Sequence, residues 1–202
     1  MVKSWVGPLK GFAKVNVHAF TLDHPMPNGN DSGIGIVVRD RKGTIIKMYS
    51  GTIRDLTKRG NELWVMLIGL KGAFLEDEHM VELEELESDN KEAVKEWEEW
   101  KWYSDPNHEN VIQQLNQRKS DPNLTLVVRA VKESQNALAR YLAHVGSQQR
   151  TRLVVICRLF VQEDEEVEAG NDVEVVDVSD DDTEEVNILL DGVGQPGFGN
   201  RN

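Results

Sequence analysis

Ala13–Leu22 reads AKVNVHAFTL. Ala13, Val15, Val17 and Ala19 alternate with Lys14, Asn16 and His18. A period of two places the apolar set on one face of an extended chain and the polar set on the other, the pattern of a half-buried strand. A turn-rich loop, HPMPNGNDS over His24–Ser32, follows. Gly33–Asp40 then reads as a second strand, Arg41-Lys42-Gly43 as a tight turn, and Thr44–Gly51 as the third strand of a hairpin.

Beyond this meander the period changes. Leu63, Met66, Leu67, Leu70 and Phe74 recur at three- and four-residue spacing, which predicts an amphipathic helix over Gly60–Phe74. His79–Leu86 reads as a strand, and Asn90–Trp100 and Asn107–Gln117 as helices, the second stopped by Ser120-Asp121-Pro122. Leu124–Val131 is β-rich, Ser134–His144 is helical, and Arg152–Val161 is a β-branched run that reads as a last strand. The order β-β-β-α-β-α-α-β-α-β predicts an α/β protein with a mixed sheet flanked by helices.

The net charge of −12 is unevenly spread. Gln162–Asp191 holds 14 acidic residues and no Lys or Arg. That leaves 21 of the 35 acids for residues 1–161, which carry 22 of the 23 basic side chains, so the body is near +1. A block of like charge with little apolar surface does not offset its repulsion and chain entropy. The expected organisation is therefore one domain over 1–161 and an acidic, disordered tail over 162–202. A single cysteine, Cys157, excludes a disulfide framework and a cysteine-built zinc site. No apolar run reaches a membrane span and the first residues lack a signal peptide's apolar stretch, so no membrane partner and an intracellular location, nuclear or cytoplasmic, are expected.

Five short motifs fall in register with one family. Trp5, Pro8, Gly11, Lys14 and Asn16 lead into the first strand; Gly33, Gly35, Val37, Val38, Arg39, Asp40 and Gly43 form the second. Asn61, Glu62, Gly69, Leu70 and Ala73 mark the first helix, and Glu87-Ser88-Asp89 ends a strand. Ser134, Gln135, Asn136, Ala139, Leu142 and Ala143 mark the last helix. Over residues 5–146 the chain resembles the reverse-transcriptase-like plant ribonuclease H family. The resemblance implies a ribonuclease H-like fold, an RNA–DNA hybrid as partner, and cleavage by two divalent ions, Mg²⁺ or Mn²⁺, held by four carboxylates.

Residue by residue, that carry-over retains the carboxylates Glu62 and Asp89 but puts His18 and Arg140 at the other two positions. An imidazole offers one nitrogen and no negative charge, and a guanidinium offers no acceptor at all. No two-metal site and little or no nuclease activity of this kind are therefore expected, and no resident cofactor. Asp23 or Glu133 would replace a lost ligand only with a backbone shift. Arg140 pairing with Glu62 or Asp89 would make an internal salt-bridge cluster instead. Two further arrangements remain open: Arg140 and His18 on a phosphate, or a single Zn²⁺ or Mn²⁺ on His18, Glu62 and Asp89.

Other residues carry weaker signals. Arg39, Arg41 and Lys42 at the hairpin turn, with Lys58, Arg59 and Asn136, are candidates for contacting nucleic acid. Trp97, Trp100 and Trp102 lie among Glu96, Glu98 and Glu99, which favours packing over base stacking. Gly33-x-Gly35 lacks a third glycine and opens no helix, so close packing in a strand is the better reading than dinucleotide binding. In the tail, Val173, Val175, Val176 and Val178 form a β-prone stretch before Ser179-Asp180-Asp181-Asp182. It resembles a SUMO-interacting motif, in which a strand adds to the edge of a partner's sheet. Ser179 and Thr183 resemble acidophilic-kinase sites, and Val186–Leu190 is a second, weaker stretch.

Overall fold

The computed structural model describes residues 7–8, 12–53, 57–72, 83–99, 108–122, 124–149, 153–158 and 173–176. Trp5, Gly11, Ala73, Phe74, Trp100, Trp102, Val178, Ser179, Thr183 and Val186–Leu190 lie outside them.

Strand β1 (Phe12–Thr21) pairs antiparallel with β2 (Ser32–Arg39), which pairs antiparallel with β3 (Ile45–Gly51). The turn between β2 and β3 closes where Asp40 Oδ1 accepts the amides of Lys42 and Thr44, both at 2.8 Å. Gly43 supplies the positive φ of 88° that this turn requires. Helix α1 (Lys58–Gly72) crosses over to β4 (Leu83–Ser88), parallel to β1. Helices α2 (Lys91–Glu99) and α3 (Glu109–Ser120) lead to β5 (Thr125–Ala130), parallel to β4. A single 3-10 turn at Glu133–Gln135 enters α4 (Ala137–Gln148). Strand β6 (Leu153–Arg158) returns to pair with β3, and β7 (Val173–Val176) pairs with β6. The sheet order is β5-β4-β1-β2-β3-β6-β7.

The element order expected from the sequence holds through β6, with two differences of substance. Strand β4 runs to Ser88, two residues later than expected, which carries the chain up to Asp89. Helix α4 begins at Ala137 rather than Ser134, because Glu133–Gln135 forms the 3-10 turn. Within the tail, read from the sequence as mostly disordered with a β-prone stretch at its valines, Val173–Val176 forms β7 beside β6.

Two burial patterns also differ. Helix α1 is buried on every side from Gly60 to Leu70, not along one stripe, because the sheet lies on one side of it and α2 and α3 on the other. Lys14 and Asn16 on the polar face of β1 are buried as well. The cost of that burial is offset by partners on the parallel neighbour. Lys14 Nζ lies 2.6 Å from Glu87 Oε1 and 3.8 Å from Glu85 Oε1, and Asn16 Nδ2 donates to Glu87 Oε2 at 2.8 Å. Arg129 on β5 adds its Nε at 3.3 Å from Glu85.

Helix α4 packs against β2 and β3 on the face opposite α1. Glycine sets its distance. A Cβ on Gly35 would stand 2.0 Å from the carbonyl oxygen of Ala139, and one on Gly33 2.0 Å from that of Ala143. Both glycines are strand residues in close contact, as the sequence suggested. The far end of α4 is tied down by the loop after β1: Asn30 Nδ2 donates to Ser147 O at 2.9 Å and Gln149 O at 2.7 Å. These are the orphan carbonyls of a helix C-terminus, satisfied by side chains distant in sequence.

Gly35→Ala is expected to lower unfolding stability by about 1–3 kcal/mol or more, since neither backbone can give way without shifting the helix. A urea titration of the variant with an unmoved midpoint would show that α4 does not sit on β2 in this way.

Candidate functional site

The parallel pair β1 and β4 ends with His18 opposite Asp89, one step past the Val17–Ser88 pair. The crevice outside the carboxyl ends of parallel strands is where sheets of this kind offer convergent side chains. Asp89 is nearly buried there, its side chain 4% exposed.

Three donors converge on its carboxylate. His18 Nδ1 lies 2.9 Å from Oδ1, Asn136 Nδ2 donates to Oδ1 at 2.6 Å, and Arg140 donates to Oδ2 at 2.5 Å. Burial alone would raise the pKa of Asp89, but the hydrogen bonds from His18, Asn136 and Arg140 outweigh it. The net effect holds the carboxyl well below the usual carboxylate range. An ionised carboxylate only accepts, so the His18 proton in this contact sits on Nδ1. Asn136 also donates to the carbonyl of Val17 at 2.8 Å, pinning the start of α4 to β1. Arg140 reaches outward as well, 3.5 Å from Glu133.

Glu62 approaches from α1, on the other face of the sheet. Its carboxyl is pushed up to about 7. Burial is the main cause; a hydrogen bond from Asn90 and the charges of His18 and Lys58 pull the other way, and Asp89 adds repulsion. Four residues singled out by the sequence, His18, Glu62, Asp89 and Arg140, thus do come together. Of the arrangements the sequence left open, Arg140 adopts the ion pair with Asp89. Glu133 is exposed and bound to Arg140, and Asp23 is exposed in the loop after β1.

This donor set does not fit a pair of divalent cations. Both oxygens of Asp89 are engaged by protein donors, and one of them faces the guanidinium of Arg140. Nor does it suit one Zn²⁺ or Mn²⁺ on His18, Glu62 and Asp89, since the His18 nitrogen facing Asp89 carries a proton rather than a free lone pair. Among the described residues, no group of three or more His, Cys, Asp or Glu is placed to hold a metal ion.

The basic residues do not form one surface. Lys14 pairs with Arg39 in the β1–β2 register, while Asn61 of α1 donates to Thr21 Oγ1 at the other end of β1. The hairpin group Arg39, Arg41 and Lys42 is therefore separated from Lys58 and Arg59 by the length of that strand, about 23 Å. Arg59 donates to Glu96 Oε2 at 3.1 and 3.2 Å, and Arg39 to the carbonyl of Gly43 at 3.2 Å. Asn136 is buried and serves to position Asp89. Arg41, Lys42 and Lys58 are exposed. Trp97 is buried in the core with Lys119 over its ring, the packing role expected of it.

Two participants escaped the sequence reading. Asn90, next to Asp89, bonds Glu62. The charged network of Lys14, Glu85 and Glu87 was also missed, although Lys14-x-Asn16-x-His18 and Glu85-x-Glu87-x-Asp89 share a period of two. Parallel strands in that register place the two rows side by side.

No family model matches the chain, and a search of curated proteins returns no match. Solved structures do match. Ribonuclease H1 from Halobacterium salinarum is 17% identical, covering 68% of this chain and 98% of its own, with a TM-score of 0.57. The fold is ribonuclease H-like. The N-terminal ribonuclease H domain of a Mycobacterium tuberculosis protein gives a TM-score of 0.57 at 17% identity, over 67% of this chain and 98% of its own. LC11 ribonuclease H1, solved in complex with an RNA/DNA hybrid, gives 0.55 at 20% identity over 67% and 96%.

The two carboxyls make opposite contributions to stability with pH. The depressed pKa of Asp89 stabilises the fold at neutral pH, and this is lost as pH falls below the usual carboxylate range. Glu62, raised in the folded state, favours folding most below its ordinary value of about 4.5, and that contribution fades as pH rises to about 7. Stability should therefore climb by about 2 kcal/mol on going from pH 7 to pH 5. Glu62→Gln should flatten that slope in urea titrations across the range. Asp89→Asn, which weakens the contacts to Arg140 and His18, is expected to cost about 2–4 kcal/mol at pH 7.

Proposed function

We propose that the protein is a catalytically degenerate ribonuclease H-like domain that binds nucleic acid, an RNA–DNA hybrid in the first instance, as a binding or scaffolding module. The observation that carries this reading is the Asp89 carboxylate, closed by His18, Asn136 and Arg140. Two positions where the resemblance calls for anionic metal ligands hold a ring and a guanidinium. The two-metal reaction would need Asp89 to release Arg140 and take up a cation beside that positive charge.

Support for the partner is of two kinds. A structural neighbour, LC11 ribonuclease H1, holds an RNA/DNA hybrid. Exposed Arg41 and Lys42 at one end of the sheet and Lys58 at the other suit two separated contacts along a phosphate backbone. The finer placement among reverse-transcriptase-like plant members rests on the five sequence motifs.

The test is a labelled RNA–DNA hybrid, assayed for binding by anisotropy and for cleavage on gels in Mg²⁺ and in Mn²⁺. Binding that weakens steeply between 50 and 200 mM salt, with the strands intact, is the expected result. Arg41→Ala with Lys42→Ala should weaken it and make its salt dependence shallower. Metal-dependent cleavage that disappears in Glu62→Gln would overturn the reading in favour of an active hybrid ribonuclease.

A further inference from the structure

We propose that the outer edge of β7 is a docking edge for a β-strand of another protein whose flanks carry Lys or Arg. The inference goes beyond the nucleic-acid reading and does not depend on it. Strand β7 ends the sheet: Val173–Val176 pairs with Arg158–Val155 of β6, and among the described residues no strand pairs with its other side. In an antiparallel pair, successive residues turn their N–H and C=O alternately toward the partner and away from it. Every second residue of β7 therefore directs a backbone donor and acceptor outward, the groups that an added strand would satisfy.

The sequence of this edge lacks two of the devices that usually block such addition, proline and lysine. Val173-Glu174-Val175-Val176 contains no proline, no lysine and no glycine. What it has instead is charge of one sign on both sides. Ten of the acids lie in Glu163–Asp172 and Asp177–Asp182, with no basic residue between Gln162 and Asp191. Two copies of this edge brought side by side would place these acidic runs against each other, which disfavours self-pairing. The same charge attracts a strand with basic flanks. The occupant is thus a partner of opposite charge, and it joins as an eighth strand while β7 stays paired to β6.

The experiment uses the full chain and three dye-labelled peptides followed by anisotropy. The first is Lys-Lys-Val-Thr-Val-Thr-Val-Lys-Lys. The second has Glu for every Lys. The third keeps the lysines but replaces both Thr by Pro, so that it retains the charge and cannot form a ladder. The first peptide is expected to bind at least tenfold more tightly than either control. Hydrogen exchange should show the segment 173–176 gaining protection when it binds. In Val175→Pro the affinity should fall at least tenfold while the melting temperature of the body stays unchanged. Equal binding of the proline-interrupted peptide would reduce the effect to charge attraction and overturn the proposal. So would unchanged exchange at 173–176, no binding of the first peptide, or reversible dimerisation of the chain through this segment.

Discussion

A buried carboxylate with three donors around it ties together three elements of this molecule. Asp89 follows β4, His18 lies on β1, and Asn136 and Arg140 belong to the start of α4. Through Asn136 the same cluster reaches the backbone of β1 at Val17. The arrangement exists because α4 can come close. Gly33 and Gly35 let the helix rest on the backbone of β2, with no side chain between. From that distance a guanidinium on the first turns of α4 reaches a carboxylate at the end of β4. A larger residue in β2 would lift the helix and leave Asp89 buried without its cation, a costly state in a low dielectric.

The cluster also shows how buried carboxylates are compensated. Carboxylates gathered at one place repel each other. Here protein donors supply the compensation. Arg140 supplies permanent positive charge, and His18 and Asn136 supply protons directed at one oxygen. Glu62, desolvated by its burial, responds in the other available way and holds a proton up to about pH 7. The polar face of β1 continues the same logic farther down the strand, where Lys14 lies between Glu85 and Glu87. Each anion along this row has a protein partner, so the sheet face is balanced within itself.

Much of this was legible in the chain. The alternation in Ala13–Leu22 and the hairpin signal around Gly43 located the first three strands, because a period of two and a turn glycine are local properties. The five motifs brought His18, Glu62, Asp89 and Arg140 to one site, and they do meet. What the residues did not reveal was which partner Arg140 would take, since Glu62 and Asp89 were both open as acceptors. Distance decided: the start of α4 stands over the end of β4 and on the face opposite α1. The grouping of basic residues failed for a related reason. Arg39 and Arg59 are separated by 20 positions, yet strand length places them at opposite ends of the sheet.

The sequence alone determined the secondary-structure order, the class of fold, and the split of charge between a near-neutral body and an acidic tail. These depend on side-chain chemistry, local periodicity and a family pattern, which one chain displays without folding. Tertiary structure decided that Lys14 and Asn16 are buried, that α1 is covered on every side, that Asp89 is closed by three donors, and that Val173–Val176 joins the sheet as β7. Each of these depends on which segment lies beside which. Burial, ion pairing and strand addition are relations between residues far apart in the chain, and no period or spacing records them until the backbone brings the partners within reach.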